Sequence, residues 1–200
     1  MTKTFLHVGC GSKQKAQTTP CFGQDDWQEI RFDIDPAARP DIVGTMLDMS
    51  AVASSSMNAV FSSHNLEHLY PHEVPLALQE FLRVLKPDGF LVLTCPDLQS
   101  VARLIADDKL TDVAYSAPAG PITPLDILYG YRPQLAAGNL YMAHRCGFTL
   151  KVLLATLQTA GFATTGGQKR ETRFDLWAVA TKETKTEAEL RSLAAIHFPA

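Results

Sequence analysis

The chain is expected to be an α/β protein built round a mostly parallel sheet, and three observations predict it. Short apolar runs alternate with stretches of helical period, the pattern of βαβ units. The first run, residues 4–9 (TFLHVG), passes straight into glycines. The run at residues 90–95 (FLVLTC) is apolar throughout, as a strand covered on both faces should be.

The remaining elements follow in order. Residues 28–34 (QEIRFDI) alternate and end in acid, which predicts a second strand, and Asp41–Gly44 offers a short third. Residues 57–63 (MNAVFSS) make a fourth. Pro71 suits the first turn of the next helix, Val74, Leu78, Phe81 and Leu85 recur at helical spacing, and Pro87-Asp88-Gly89 stop it. After the apolar strand, residues 97–106 suit a helix. Residues 109–146 carry Pro118, Gly120, Pro121, Pro124, Gly130, Pro133 and Gly138, so an irregular insert or lid is expected there. Helical period returns at Thr149–Ala160, where Leu150, Leu153, Leu154 and Leu157 share one side and Gly161 supplies the stop. Final strands are expected near 162–168 and 173–181. Thr186-x-x-Glu189 is a capping box that opens a C-terminal helix, with two open roles: cover for an edge strand, or contact with a second copy in a homodimer.

Composition narrows the function. Two hundred residues suit one domain over 1–200, and 46% hydrophobic with 20% charged residues is the balance of a globular protein. Lys plus Arg is 18 against 21 for Asp plus Glu, a formal charge of -3. The densest basic stretch, Gln168–Arg173, holds Lys169, Arg170 and Arg173 with Glu171 among them, so bulk nucleic acid is not the expected partner. No apolar run approaches the roughly 18 residues of a membrane span, and the first residues do not read as a signal peptide. Cys10, Cys21, Cys95 and Cys146 have no CxxC spacing, which suits reduced thiols in a cytoplasmic protein.

Two motifs carry chemistry. His7-Val8-Gly9-Cys10-Gly11-Ser12 ends the first strand, where glycines permit positive φ and close approach of a ligand to bare backbone. Phe32-Asp33-Ile34-Asp35-Pro36 ends the second, and an acid there has two oxygens for the hydroxyls of a ribose. Together they point to a nucleoside-containing cofactor. A nicotinamide fingerprint wants a further glycine where Gln14 stands. A third motif, His64-Asn65-Leu66-Glu67-His68, fits the HxxEH of inverted zinc peptidases, in which two histidines on one helix bind metal. It falls at a strand-to-helix junction of an α/β pattern, and no metal is expected there.

The ordered set HVGCGS, RFDIDP, DIVGTMLDM, MNAVFSSHNLEHL and EFLRVLKPDGFLVLTCPDL resembles the class I S-adenosylmethionine-dependent methyltransferases, in particular a small bacterial group of unassigned substrate. The resemblance spans residues 4–97 and returns in HRCGFTLKVLLATLQTAGF at 144–162. It implies a Rossmann-like methyltransferase fold: a seven-stranded, mostly parallel sheet with its last strand antiparallel, and the irregular insert after the fifth strand. It implies S-adenosylmethionine as cofactor. Gly9 and Gly11, with the backbone of Cys10, would face its aminocarboxypropyl part. Asp33 matches the acid that holds the ribose, with Asp35 as the alternative. Thr45 and Met46 would flank the adenine. Ser62, Ser63 and His64 fall at the methionine end, and His7 and Ile34 complete the cofactor set. Lys13 stands where the family has its third glycine, and Thr45 where it often has an acid.

Methyl transfer needs alignment, and a base where the acceptor is a hydroxyl or a protonated amine. His64 is the candidate beside the cofactor. His144 is the candidate from the insert, with Tyr141 and Arg145 beside it; its other role is to anchor the loop before Phe148. The expected activity is methylation of an oxygen or nitrogen on a small or medium-sized acceptor such as a sugar, lipid precursor or metabolite. The alternatives are a protein of this fold that binds cofactor without methyl transfer, and a nicotinamide-dependent oxidoreductase.

Overall fold

The computed structural model describes residues 2–199. Four parallel-running strands open the chain: β1 (Lys3–Val8), β2 (Trp27–Asp33), β3 (Ile42–Val43) and β4 (Met57–Ser63). Helix α1 (Val74–Val84) leads into β5 (Leu85–Pro96), and α2 (Leu98–Ala106) follows. After the insert come α5 (Leu150–Thr159), β8 (Thr164–Arg170), β9 (Asp175–Thr181) and α6 (Glu187–His197). The seven-stranded sheet has the order β3-β2-β1-β4-β5-β9-β8. β9 runs antiparallel to both neighbours, and the other pairs are parallel. The chain therefore works outward from β1 to β3, then returns to lay β4 on the other side of β1. Open α/β sheets bind ligands at the strand ends where the order reverses in this way.

Successive residues of a strand point to opposite faces, and the core obeys that alternation. Leu6, Val8, Phe32 and Leu93 pack with Leu78 and Phe81 of α1 and with Leu153 and Leu157 of α5 on one face. Phe5, Phe61 and Trp177 pack with Leu190 and Leu193 of α6 on the other. Full burial of one such side chain stabilises by roughly 1.5–3 kcal/mol. The capping box at Thr186 is formed: Glu189 N donates to Thr186 Oγ1, and Thr186 N donates to Glu189 Oε2 at 2.8 Å.

No long helix joins β1 to β2. A single turn at Lys15–Gln17 is held instead by the strand itself, because Lys15 N donates to Glu29 Oε2 at 2.8 Å and Lys15 Nζ reaches the carbonyls of Gln24 and Trp27. The sheet face beside it is filled by Phe22, stacked on Phe5 with ring centroids 4.2 Å apart.

The structure departs from expectation in three places. Helix α1 starts at Val74, so Pro71 lies outside it and Pro75 takes the first turn. β5 begins at Leu85, where it pairs with Met57, and a shift of register carries Pro87-Asp88-Gly89 inside the strand instead of before it. The insert is also more regular than its Pro and Gly content implies. It contains a hairpin of β6 (Tyr115–Ala117) and β7 (Gly120–Ile122), then helices α3 (Pro124–Tyr129) and α4 (Arg132–Ala136). Its prolines start helices, since Pro124 and Pro133 sit in first turns where no amide hydrogen is needed. Ile122 and Ile127 of the insert pack on Val101 of α2 in a small cluster separate from the sheet's core.

Among the described residues, all four cysteines are free and no helix is long and apolar enough to cross a membrane.

Candidate active site

A cleft of about 300 Å³ opens at the C-terminal ends of β1, β2 and β4. Its floor is the turn after β1, where Gly9 (φ +64°) and Gly11 (φ +51°) both take left-handed backbone. Gly11 N donates to Asp33 Oδ2 at 2.7 Å, and Asp35 N donates to Asp33 Oδ1 at 2.9 Å. The buried Asp33 carboxylate thus clasps two turns while each oxygen keeps a further acceptor site. Asp35 is spent differently, its Oδ1 accepting from Ala37 N at 2.8 Å to cap a short turn.

Behind the cleft, the Arg31 guanidinium fans out to the carbonyls of Gly11, Lys13, Ala38 and Arg39. One side chain on β2 therefore fixes both loops that form the cleft's rim. Sequence reasoning missed Arg31, Glu29 and Asn65; only the position of Arg31 and Glu29 on the strand beside the glycine turn gave any signal.

The expected cofactor residues divide into two groups. Gly9, Gly11, Asp33, Ile34, Thr45 and Met46 line the cleft, as do Ser63 and His64. His7, Cys10 and Ser62 do not; each is buried, at 1% exposure. His7 packs 5.2 Å from the Phe61 ring and its Nδ1 meets Glu29 Oε1 at 2.6 Å. Burial lowers its pKa against the pull of Glu29. Burial likewise pushes the Cys10 thiol up to about 11. Ser62 Oγ accepts from Asn65 Nδ2.

His64 stands where β4 leaves the sheet, in left-handed backbone (φ +57°) that is unusual for a residue with a Cβ. Its Nδ1 lies 3.3 Å from Glu67 Oε1 and its Nε2 3.9 Å from Asp175 Oδ2. Burial works against its charge, but the two carboxylates prevail and raise its pKa to about 9. The two carboxylates thus favour the protonated form of His64 on the cleft wall. Asp175 is shared with Arg170, whose Nε donates to Oδ1 at 2.9 Å.

His144 is not in this cleft. It lies in an adjoining cavity of about 190 Å³ whose wall includes His64, Glu67 and His68. Burial lowers the pKa of His144, which favours its neutral form, and its Nδ1 donates to Ile127 O at 2.8 Å. The end of the insert is tied firmly to the segment after His64. Arg145 N donates to Glu67 O at 2.7 Å, and Arg145 Nη1 donates to His68 O at 3.0 Å. Asp97 makes no part of either wall; it caps α2 through Gln99 N at 3.1 Å.

Residues 6–93 match a family described as a methyltransferase domain. No curated protein matches the chain. Among solved structures, the fold resembles the CMeT domain of the citrinin polyketide synthase (TM-score 0.55, 11% identity), covering 92% of this chain and 47% of that one. It resembles 1,6-didemethyltoxoflavin-N1-methyltransferase of Burkholderia thailandensis (TM-score 0.58, 15% identity), covering 92% and 72%. It also resembles a SAM-dependent methyltransferase of Methanosarcina mazei (TM-score 0.57, 19% identity), covering 92% and 94%. The chain thus spans about half the length of the first and nearly all of the third. At these identities the likeness is one of fold. Together with the sheet order it gives the chain the Rossmann-like fold of these methyltransferases, and residues 6–93 carry the match to the methyltransferase domain.

Proposed function

We propose that the protein holds S-adenosylmethionine in the cleft of β1, β2 and β4 and methylates an oxygen or nitrogen of a small or medium-sized acceptor. The reading rests on one observation above the others: the left-handed Gly9–Gly11 turn is hydrogen-bonded to a buried carboxylate, Asp33, that keeps acceptor capacity toward the cleft. The residues present suit that cofactor. Nothing lies within 4 Å of the place where a Gly11 Cβ would stand, so bare backbone faces the cleft. In this reading Asp33 accepts from the ribose hydroxyls, and Thr45 and Met46 flank the adenine. Gly9, Gly11 and Ser63 hold the amino-acid end, whose carboxylate suits the His64 cation.

When bound, the cofactor's sulfonium supplies the methyl group. The chain's own work is alignment, exclusion of water and removal of the acceptor's proton. The acceptor enters from the insert, whose Asn139, Tyr141, Met142 and Arg145 close one side of the cleft. On that side His144 is the neutral histidine, with Nδ1 engaged and Nε2 free.

Calorimetric titration with S-adenosylhomocysteine tests the reading, with NADH as the parallel arm. Micromolar binding of the first alone supports it. Binding of NADH alone transfers the cleft to a nicotinamide cofactor, and binding of neither overturns the cofactor assignment.

A further inference from the structure

A second constellation lies beside the cofactor cleft. One donor atom from each of Glu67, His68 and His144 lies within 4.8 Å of the other two. Glu67 is 1% exposed, and neither of its carboxylate oxygens has a hydrogen-bond partner. His64 supplies charge 3.3 Å from Oε1 but no aligned hydrogen bond, so both carboxylate oxygens keep unfilled acceptor positions. A buried carboxylate ordinarily fills these with a donor or a metal ion.

The two histidines are prepared in the same way. His68 Nδ1 donates to Ala143 O at 3.1 Å, and His144 Nδ1 donates to Ile127 O at 2.8 Å. In the neutral ring each bond places the hydrogen on Nδ1 and leaves the Nε2 lone pair for a ligand, the tautomer that metal-binding imidazoles are held in by outer partners. Their rings lie 5.0 Å apart, inclined by 59°. The backbone around them is pinned too, because Glu67 O accepts from Arg145 N and Cys146 N.

We infer that Glu67, His68 and His144 form a site for one divalent first-row transition-metal ion, open to the cavity beneath the insert. Two imidazoles and a carboxylate suit zinc, cobalt or manganese better than magnesium or calcium. This is not the HxxEH arrangement of the zinc peptidases. His64 is engaged with Glu67 and Asp175, and residues 66–68 form a single 3-10 turn, so His64 and His68 do not share a helix face. The third ligand comes instead from the insert, 76 positions beyond His68.

The same ion names an acceptor class, a step that rests on the proposed methyltransferase activity. His64 and His68 line both cavities, so an ion at this site stands between the cofactor cleft and the acceptor's entrance. Bound oxygen acids become stronger acids on such ions. The favoured acceptor is therefore a hydroxyl compound with a second oxygen able to chelate.

The test uses the whole chain, stripped with chelator and titrated with Zn²⁺ by calorimetry and with Co²⁺ by visible absorption. One ion per chain is expected, with cobalt bands of nitrogen and oxygen ligation and no sulfur charge-transfer band. Glu67→Gln, His68→Ala and His144→Ala should each weaken binding at least about tenfold, the scale that even outer partners of a ligand reach. The exposed His72→Ala should bind as the parent does. Binding that survives all three variants, or that falls with His72→Ala, overturns the site, as does the absence of stoichiometric binding. Circular dichroism and S-adenosylhomocysteine titration of the same variants separate misfolding from ligand loss. If the cofactor binds and the metal does not, this inference fails alone; if the metal binds and the cofactor does not, the methyltransferase reading fails alone.

Discussion

A Cβ built on Gly9 would stand 2.0 Å from the Oδ1 of Asn65. Asn65 has no room to withdraw, because its Nδ2 donates to Val8 O at 2.9 Å, to Ser62 Oγ and to Ser63 O. The side chain thus laces the end of β1 to the end of β4 directly under the cleft.

Gly9→Ala is accordingly expected to destabilise the fold by roughly 2–4 kcal/mol, combining left-handed strain with overpacking. Gly11→Ala carries the same kind of strain, but its methyl enters open cleft. It should lose about 1–2 kcal/mol of stability while giving a larger fractional loss of S-adenosylhomocysteine affinity. Urea unfolding and calorimetry on both variants check the contrast; equal effects on stability would contradict the packing argument.

Asp33→Ala should remove roughly 1–3 kcal/mol of cofactor binding, the cost of leaving buried polar groups unpaired. Asp35→Ala should instead cost about 1 kcal/mol of stability through the lost cap, with affinity nearly unchanged. The reverse pattern would assign the ribose to Asp35.

His197 makes the fold sensitive to acid. It is fully buried, with Nδ1 2.9 Å from Thr19 Oγ1 and its ring 4.4 Å from Phe22. Burial lowers its pKa from 6.5 to about 4. The folded chain keeps this imidazole neutral while the unfolded chain takes up a proton below 6.5, so stability falls as pH drops from 6.5 toward about 4. The slope is roughly 1.4 kcal/mol per pH unit, flattening below the folded value. Unfolding midpoints across this range should show a steeper slope in the parent than in His197→Phe, the remainder coming in part from His7 and His144, whose pKa values burial also lowers.

The insert should come loose without the sheet. Asp126 is buried and accepts from Thr123 N at 3.0 Å, Thr123 Oγ1 at 2.7 Å and Arg132 Nε at 2.7 Å. Asp126→Ala is expected to cost roughly 2–3 kcal/mol of local stability. Hydrogen exchange should show amides of 124–136 losing protection while those of β4 and β5 keep theirs. A uniform loss would show that insert and sheet unfold as one unit.

The sheet was legible because strands announce themselves locally. The acid-ended run at 28–34 lies within one residue of the observed strand, and the apolar run at 90–95 falls inside β5, which starts five residues earlier. The cleft's own residues were legible for the same reason, since Gly9, Gly11 and Asp33 sit at strand ends that the pattern marks. What escaped were bonds between distant side chains and backbone. Arg31 reads as a surface cation in an alternating strand, yet it closes four carbonyls. The insert escaped because proline was read as a breaker, whereas Pro124 and Pro133 start helices. His144 and the HxxEH motif were each visible alone. Their meeting depends on Arg145 and Cys146 joining Glu67, which no local period encodes.

That junction bears on how this protein changes over time. The strap that ends at Cys146 forms one side of the cofactor cleft and one side of the neighbouring cavity at once. A sequence change that reshapes the insert for a new acceptor therefore also disturbs the cofactor's enclosure. On the proposed reading, acceptor preference and cofactor grip share this strap, so a change in the insert is expected to need a compensating substitution across the 66–68 and 143–146 segments.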